Sequence, residues 1–348
     1  MSDTLAAAIR DIADGKSLSA EGATQAFDAV MRGEATPVQI AALLVGLRVK
    51  GETPDEVAGA ATALRNAMVR VDAPDPDTLI DTCGTGGGTT ATFNISTAAA
   101  FVAAGAGARV AKHGNRSFTT KCGSADVLAG LGVSIDVPPA RLGEVLAKAG
   151  MVFMFAPAMH PAMRHAIPIR RELGITSVMN MIGPLANPAG VRRQVVGVSY
   201  PDRLSLIADA LARLGALHVL VVHGEPGMDE FSPLGTSHVV ELRDGATRKF
   251  EVDPAAFGIK ADDAADLAGG DVADNVRVIE EVLTGGGKSG ARNAVLLNAG
   301  AAIYVAGLAP DIGAGIEVAR GAISSGAAYG ALERLRAATS GDRALSTA

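Results

Sequence analysis

Asp81-Thr-Cys-Gly84-Thr-Gly86-Gly87-Gly88-Thr-Thr-Ala-Thr92-Phe-Asn94-Ile-Ser96-Thr97 is the stretch that decides the fold. Residues 79–83 read as a strand, the glycines as a tight turn, and 94–104 as an alanine-rich helix. A strand that enters a helix through glycines opens a βαβ unit, and hence a parallel sheet. The same turn is a natural anion site. Glycines let the backbone approach an oxyanion, and the N–H groups of a helix start point at it. Ser96 and Thr97 add hydroxyl donors, and Ser96 can also reach a metal. The plainer reading is a glycine-bearing β–α turn with no ligand. Four glycines among residues 84–88, followed by Asn-Ile-Ser-Thr, weigh against it.

On the N-terminal side, residues 71–77 form a linker with two prolines and three aspartates, and only helices precede it. Thr36-Pro37-Val-Gln39 and Thr53-Pro54-Asp-Glu56 share one design, with Thr at the N-cap, Pro next and Gln or Glu third. Helices are expected over 5–13, 20–31, 40–49 and 57–68. On the C-terminal side, strands over 108–112, 151–155, 194–199 and 218–223 alternate with helices over 125–131, 139–149 and 203–214. The tail reads as helices over 291–306, 312–324 and 329–339. The fold class is α/β: a small α-helical unit and a larger α/β domain with a mostly parallel central sheet.

A chain of 348 residues, 48% apolar, buries a large core without staples and has room for two domains. The net charge of −6 argues against nucleic acid as a partner, whereas a small phosphate ester needs only a local site. Cys83 and Cys122 are too few for a disulfide framework, so a reducing cytoplasm is expected. No signal peptide is evident at Met1-Ser-Asp-Thr-Leu, and the apolar runs at 95–111 and 294–309 are too broken to span a membrane.

Three further clusters carry chemistry. Lys112-His113-Gly114-Asn115-Arg116-Ser117 leaves a strand end, where α/β sheets bind ligands. Lys112 offers a point charge for phosphate and Asn115 both donates and accepts; Ser117, Thr119, Thr120 and Ser124 extend the hydroxyl supply. A solvated loop is the plain alternative. Asp229-Glu230 places two carboxylates after the strand 218–223. They repel unless a cation joins them, and magnesium carried by pyrophosphate suits them, though an exposed acidic turn is common. Arg170 is a rigid fork for a carboxylate, or an ordinary surface arginine on a helix. His160 and His165 read as packing or helix-end residues, and neither cysteine has a general base to make it a nucleophile.

In order and spacing these segments resemble the anthranilate phosphoribosyltransferase family over nearly the whole chain. The matching segments are Gly84-Thr-Gly-Gly, Asn94-Ile-Ser-Thr97, Lys112-His-Gly-Asn-Arg116, Phe155-Ala-Pro with His160-Pro-Ala-Met163, Arg170, Gly183-Pro184-Leu-x-Asn187-Pro188, and Gly227-x-Asp229-Glu230. The resemblance implies a fold shared with pyrimidine nucleoside phosphorylases. Residues 1–71 plus about 162–192 would form the helical domain, 72–161 plus 193–348 the α/β domain, with the site in the cleft between. It implies transfer of phosphoribosyl from phosphoribosyl pyrophosphate (PRPP) to the amine of anthranilate, in tryptophan biosynthesis, by a homodimer. PRPP contacts would come from Gly84, Gly87, Gly88, Thr92, Asn94, Ile95, Ser96, Thr97, Lys112, His113, Gly114, Asn115, Arg116, Ser117, Phe118, Thr119, Thr120 and Ser124. Ser96, Asp229 and Glu230 would hold Mg2+. Anthranilate would lie by Gly84, His113, Asn115, Arg170 and Pro184.

Two departures accompany the resemblance. The family's glycine loop ends in aspartate where Gly88 stands here, and Met179 stands where an aromatic residue often precedes the asparagine. Glycine at 88 is expected to free the turn, and its lack of a carboxylate bears on metal binding. Two rival readings are a pyrimidine nucleoside phosphorylase, which would need a nucleobase site, and a non-catalytic nucleic-acid-binding relative. Asp229-Glu230, Arg170 and both phosphate loops speak against the second.

Overall fold

The computed structural model describes residues 3–117, 121–260 and 263–341. Four helices open the chain: α1 (Asp3–Ala13), α2 (Ala20–Met31), α3 (Pro37–Lys50) and α4 (Pro54–Ala67). The starts of α3 and α4 are the two Thr-Pro boxes. Thr36 Oγ1 accepts from Gln39 N while Gln39 Oε1 accepts from Thr36 N, and Thr53 and Glu56 repeat the exchange. Glu56 does more than cap. Its wholly buried carboxylate also accepts from Leu18 N and from Lys50 Nζ, each at 2.9 Å, so it ties α4 to the α1–α2 region and to the end of α3.

The sheet has seven strands: β1 (Leu79–Gly84), β2 (Arg109–Gly114), β3 (Met151–Phe155), β4 (Arg193–Gly197), β5 (His218–Gly224), β6 (Ser237–Arg243) and β7 (Ala246–Val252). Their order is β3-β2-β1-β4-β5-β6-β7. The first five run parallel, and β6 and β7 are antiparallel additions. The β6–β7 hairpin and the helix Val272–Leu283 go beyond the sequence reading. From β1 the chain crosses outward to β2 and β3, then returns to β4 on the other side of β1. This reversal is a topological switch point, with a crevice at the carboxyl ends of β1 and β4. Gly84 pairs with Gly197 there, and both phosphate-type loops leave the sheet at the same edge.

Side chains alternate between the two faces of the sheet. Leu220 and Val222 of β5 join the core built by α5 (Ile95–Gly105) and the helix Ser289–Val305. Val219 and Val221 join a second core that contains the helix Leu204–Arg213 and all of α1–α4. The helical bundle is thus packed onto the sheet itself. Ala166, Val178, Met181, Ile182 and Leu185, from the stretch before β4, complete that second core. Arg65 of α4 adds a polar anchor, donating to Leu185 O at 2.7 Å; burial lowers its pKa to about 10. Among the described residues no helix is long and apolar enough to cross a membrane.

Glu56→Ala strips three partners of a buried carboxylate and removes the ion-pair partner of Lys50. The loss should be about 3–5 kcal/mol, read by urea or thermal unfolding. A change under about 1 kcal/mol would show that the bundle does not depend on this carboxylate.

Candidate active site

The glycine turn after β1 is held from above by the loop that follows β5. Backbone is left-handed at Gly86 and Gly87, with φ of +68° and +87°. Gly88 is not in that region, so freedom of the turn resides in its two predecessors, which corrects the expectation at 88. Gly86 N donates to Asp229 Oδ2 at 3.0 Å, and Thr89 N donates to Gly227 O at 2.9 Å. At the start of α5, Ser96 N donates to Glu230 Oε1 at 3.0 Å. The two loops meet so closely that a methyl group on Gly227 would overlap the Thr89 hydroxyl, and one on Gly197, at the end of β4, would overlap the carbonyl of Asp229.

Asp229 and Glu230 therefore do not form an exposed acidic turn, and each has a backbone partner. Burial raises the pKa of Asp229; burial, then repulsion from Asp229, pushes Glu230 well above the ordinary carboxylate range. Two desolvated carboxylates beside a serine hydroxyl make a hard-oxygen donor set, which suits magnesium. Among the described residues no group of three or more His, Cys, Asp or Glu side chains could hold a metal ion by itself. A metal here needs oxygens from a ligand, the usual habit of magnesium with phosphates.

Beneath the loops lies a buried polar layer. Asp81, with no exposed surface, accepts from His113 N at 3.2 Å and from Asn187 Nδ2 at 2.8 Å. Asn187 Nδ2 also donates to Ala111 O, so one carboxylate ties β1, β2 and the Gly183–Pro188 turn together. Lys112 is equally buried. It donates to the Thr82 carbonyl and lies 3.4 Å from Ser96 Oγ, and burial lowers its pKa. Its charge thus sits under the helix start rather than in the open cleft. Burial likewise raises the pKa of both cysteines, Cys122 to about 11, so neither is a thiolate at neutral pH.

The cleft itself is about 800 Å³ and is lined by Gly84, Gly86, Gly87, His113, Asn115, Arg116, Ser117, Arg170 and Gly183, among others. Arg170, on the helix Ile167–Leu173, is half-buried with its pKa lowered by desolvation, and no acidic side chain among the described residues pairs with it. Ser124 Oγ donates to Asn115 O at 3.2 Å, and a side chain on Gly114 would collide with Ser124 and Phe153. Ile95 and Thr97 are buried in α5, and Pro184 is buried behind Gly183. Thr92 is half-buried, its carbonyl backed by Gly269. Asn94 donates to Cys122 O, while its own Oδ1 is buried with no partner among the described residues, as is Thr97 Oγ1. Phe118, Thr119 and Thr120 lie outside the described residues.

The sequence reading missed part of the wall. His160 is a buried cleft residue whose ring lies 4.9 Å from that of His113; its sole signal was the His-Pro-Ala-Met segment. His165 packs against Gly33, as a packing residue should. Arg48, Tyr200 and the ion pair Arg203–Glu52, at 2.6 Å, close the far lip. Met179 and Asn180 line the wall below them.

Two family models match the chain: "Glycosyl transferase family, helical bundle domain" over residues 6–68 and "Glycosyl transferase family, a/b domain" over 76–329. An anthranilate phosphoribosyltransferase from Afipia carboxidovorans is 48% identical, covering 94% of this chain and 97% of the relative. One from Methylibium petroleiphilum is 51% identical over 89% and 90%. The crystal structure of anthranilate phosphoribosyltransferase from Thermus thermophilus superposes with a TM-score of 0.90 at 43% identity, covering 96% and 99%. That from Saccharomyces cerevisiae, in complex with PRPP and Mg, gives 0.88 at 27% identity over 98% and 99%.

Burial lowers the pKa of His113 to about 3 and that of His160 to about 4. The unfolded chain takes up these protons below about pH 6.5, and the folded chain refuses them, so stability is lost as pH falls from 6.5 towards 4. At pH 5 each histidine costs up to about 2 kcal/mol. The double variant His113→Asn/His160→Asn should therefore lose less stability than the parent between pH 7.5 and 5. Parallel curves would mean that both rings take up protons in the folded state.

Proposed function

The chain belongs to the anthranilate phosphoribosyltransferase family, and on that premise we propose which of its residues carry the reaction. The enzyme transfers the 5-phosphoribosyl group of PRPP to the amino group of anthranilate and releases pyrophosphate, a step of tryptophan biosynthesis, with magnesium as cofactor. The residue assignment rests on one observation above all. The backbone donors at Gly86 and Ser96 already hold carboxylates, so anion-binding groups and metal-binding groups face each other across one small gap.

In this reading the pyrophosphate takes the donors of the glycine loop and of Asn94–Thr97, while Asp229, Glu230 and Ser96 turn to the metal. The bound metal supplies positive charge against the developing charge of the leaving group. Lys112 acts from below, its ammonium orienting the Ser96 hydroxyl and opposing the buried carboxylates. Gly84, Asn115, Ser117 and Ser124 position the sugar phosphate at the loop edges. An aromatic amine is neutral at pH 7 and needs no base before it attacks. The neutral rings of His113 and His160 accordingly shape the acceptor end rather than move a proton.

Arg170 faces the acceptor's carboxylate. A half-buried guanidinium without an acidic partner costs solvation that a bound anion restores. We assign the helical domain to residues 1–71 plus 162–192, the α/β domain to the remainder, and catalysis to the cleft between. We also read the enzyme as a cytoplasmic homodimer. Val38 and Val49 stand 77% and 82% exposed on one face of α3, an apolar stripe fit for a second copy.

Arg170→Ala should raise the KM for anthranilate about ten- to a hundredfold, the worth of roughly 1.5–3 kcal/mol for a hydrogen bond to a charged group, and leave that for PRPP unchanged. An equal effect on both substrates would remove Arg170 from the acceptor site. Gly88 offers a second check. A Cβ there would lie 3.0 Å from Asp229 Oδ1, so Gly88→Asp adds a third carboxylate to the pair. The magnesium concentration for half-maximal activity should fall severalfold at fixed PRPP. Superimposable titrations would show that this loop end takes no part in metal binding.

A further inference from the structure

The helix Ser289–Val305 is apolar along the length it buries, except at one position. Asn298 is 4% exposed, between Leu297 and Ala299, both wholly buried. Its amide is engaged on both ends by one residue of the acidic loop. Phe231 N donates to Asn298 Oδ1 at 3.0 Å, and Asn298 Nδ2 donates to Phe231 O at 2.9 Å. A third bond, Nδ2 to Ala294 O at 2.9 Å, fixes the amide to its own helix. Phe231 directly follows Asp229-Glu230. Asn298 also borders a small internal cavity, about 10 Å³, with Thr82, Ser96, Asp229 and Glu230 as its other polar walls.

We propose that Asn298 is a positioning residue for the magnesium–pyrophosphate site, setting where the Asp229 and Glu230 carboxylates stand relative to Ser96. The proposal rests on the reading of Asp229 and Glu230 as metal ligands. A helix is a rigid body, and a two-bond amide clamp removes both rotation and sliding of the peptide it holds. On the other side of the pair, Gly224 leaves no room for retreat, since a side chain there would overlap the Glu230 carbonyl. The carboxylates are thus fixed between a glycine and an amide from two elements of the large domain. An asparagine that only satisfied Phe231 would contribute to folding and not to the placement of the pair.

The two roles separate in binding measurements made without anthranilate. Asn298→Leu keeps the branched shape of the side chain and removes the clamp. Leu297→Ala, in the same helix, lowers stability and leaves the clamp intact. Calorimetric titration with PRPP and magnesium should show affinity reduced tenfold or more in Asn298→Leu, and within twofold of the parent in Leu297→Ala. In turnover, the KM for anthranilate should stay within twofold of the parent. If Asn298→Leu does not fold, Asn298→Ser, whose shorter side chain keeps only a bond to Ala294 O within its own helix, should give a loss of the same kind. Equal weakening in the Asn298 and Leu297 variants, or parental affinity in the Asn298 variant, overturns the proposal. Asp229→Asn/Glu230→Gln keeps the two failures apart. If that variant binds magnesium and PRPP like the parent, the metal-ligand reading fails and the positioning role falls with it. If it loses binding while the clamp variant keeps it, the positioning role alone fails.

Discussion

Two carboxylates bonded to the N–H groups of a glycine turn and of a helix start are the contact on which the rest of this site depends. Asp229 on Gly86 and Glu230 on Ser96 bring together segments more than 130 residues apart in the chain. Such bonds form only if β5 lies one strand from β1, across β4, and all three end at the same edge, which the reversal of strand order provides. They also require glycine at 197, where a Cβ would overlap the Asp229 carbonyl, and at 84, where one would crowd the Asp229 carboxylate. The like-charged pair stays close and desolvated because each carboxylate has a donor.

Below this contact the buried layer of Asp81, Asn187 and Lys112 does related work. Asp81 is an expensive residue to bury, and its three-way connection offsets the cost. It fixes the end of β2, from which Asn115 and Arg116 enter the cleft, and the turn that carries Gly183. The Gly183 wall of the cleft and the loops after β1 and β2 therefore share one foundation. Lys112 opposes the acidic residues above and beside it from a position that solvent does not reach. The helix Ile167–Leu173, packed with α1–α4 in the core on the sheet's other face, presents Arg170 to the cleft.

Much of this was legible in the sequence because it is local. The Thr-Pro boxes mark the starts of α3 and α4, and the glycine turn marks the end of β1 and the start of α5. The β6–β7 hairpin was legible too and went unread. Asp244-Gly245, both with positive φ, is a strong two-residue turn signal between alternating segments. The partners of Asp229 and Glu230, the inward direction of Lys112 and the pairing of His113 with His160 were not legible. Each depends on which distant element arrives beside it. Asn298 was hidden for the same reason, since one polar residue in an apolar helix has no partner until the acidic loop is placed against it.

In the proposed reaction the acidic pair exchanges its backbone donors for a metal when substrate pyrophosphate takes those donors. A crystal of the enzyme grown with Mn2+ and PRPP tests it most directly, through the anomalous signal of manganese. The expected result is a peak bounded by Ser96 Oγ and the carboxylates of Asp229 and Glu230, with phosphate oxygens on the N–H groups of Gly86 and Ser96. Manganese held by PRPP oxygens alone, with both carboxylates still bonded to Gly86 and Ser96, would contradict it.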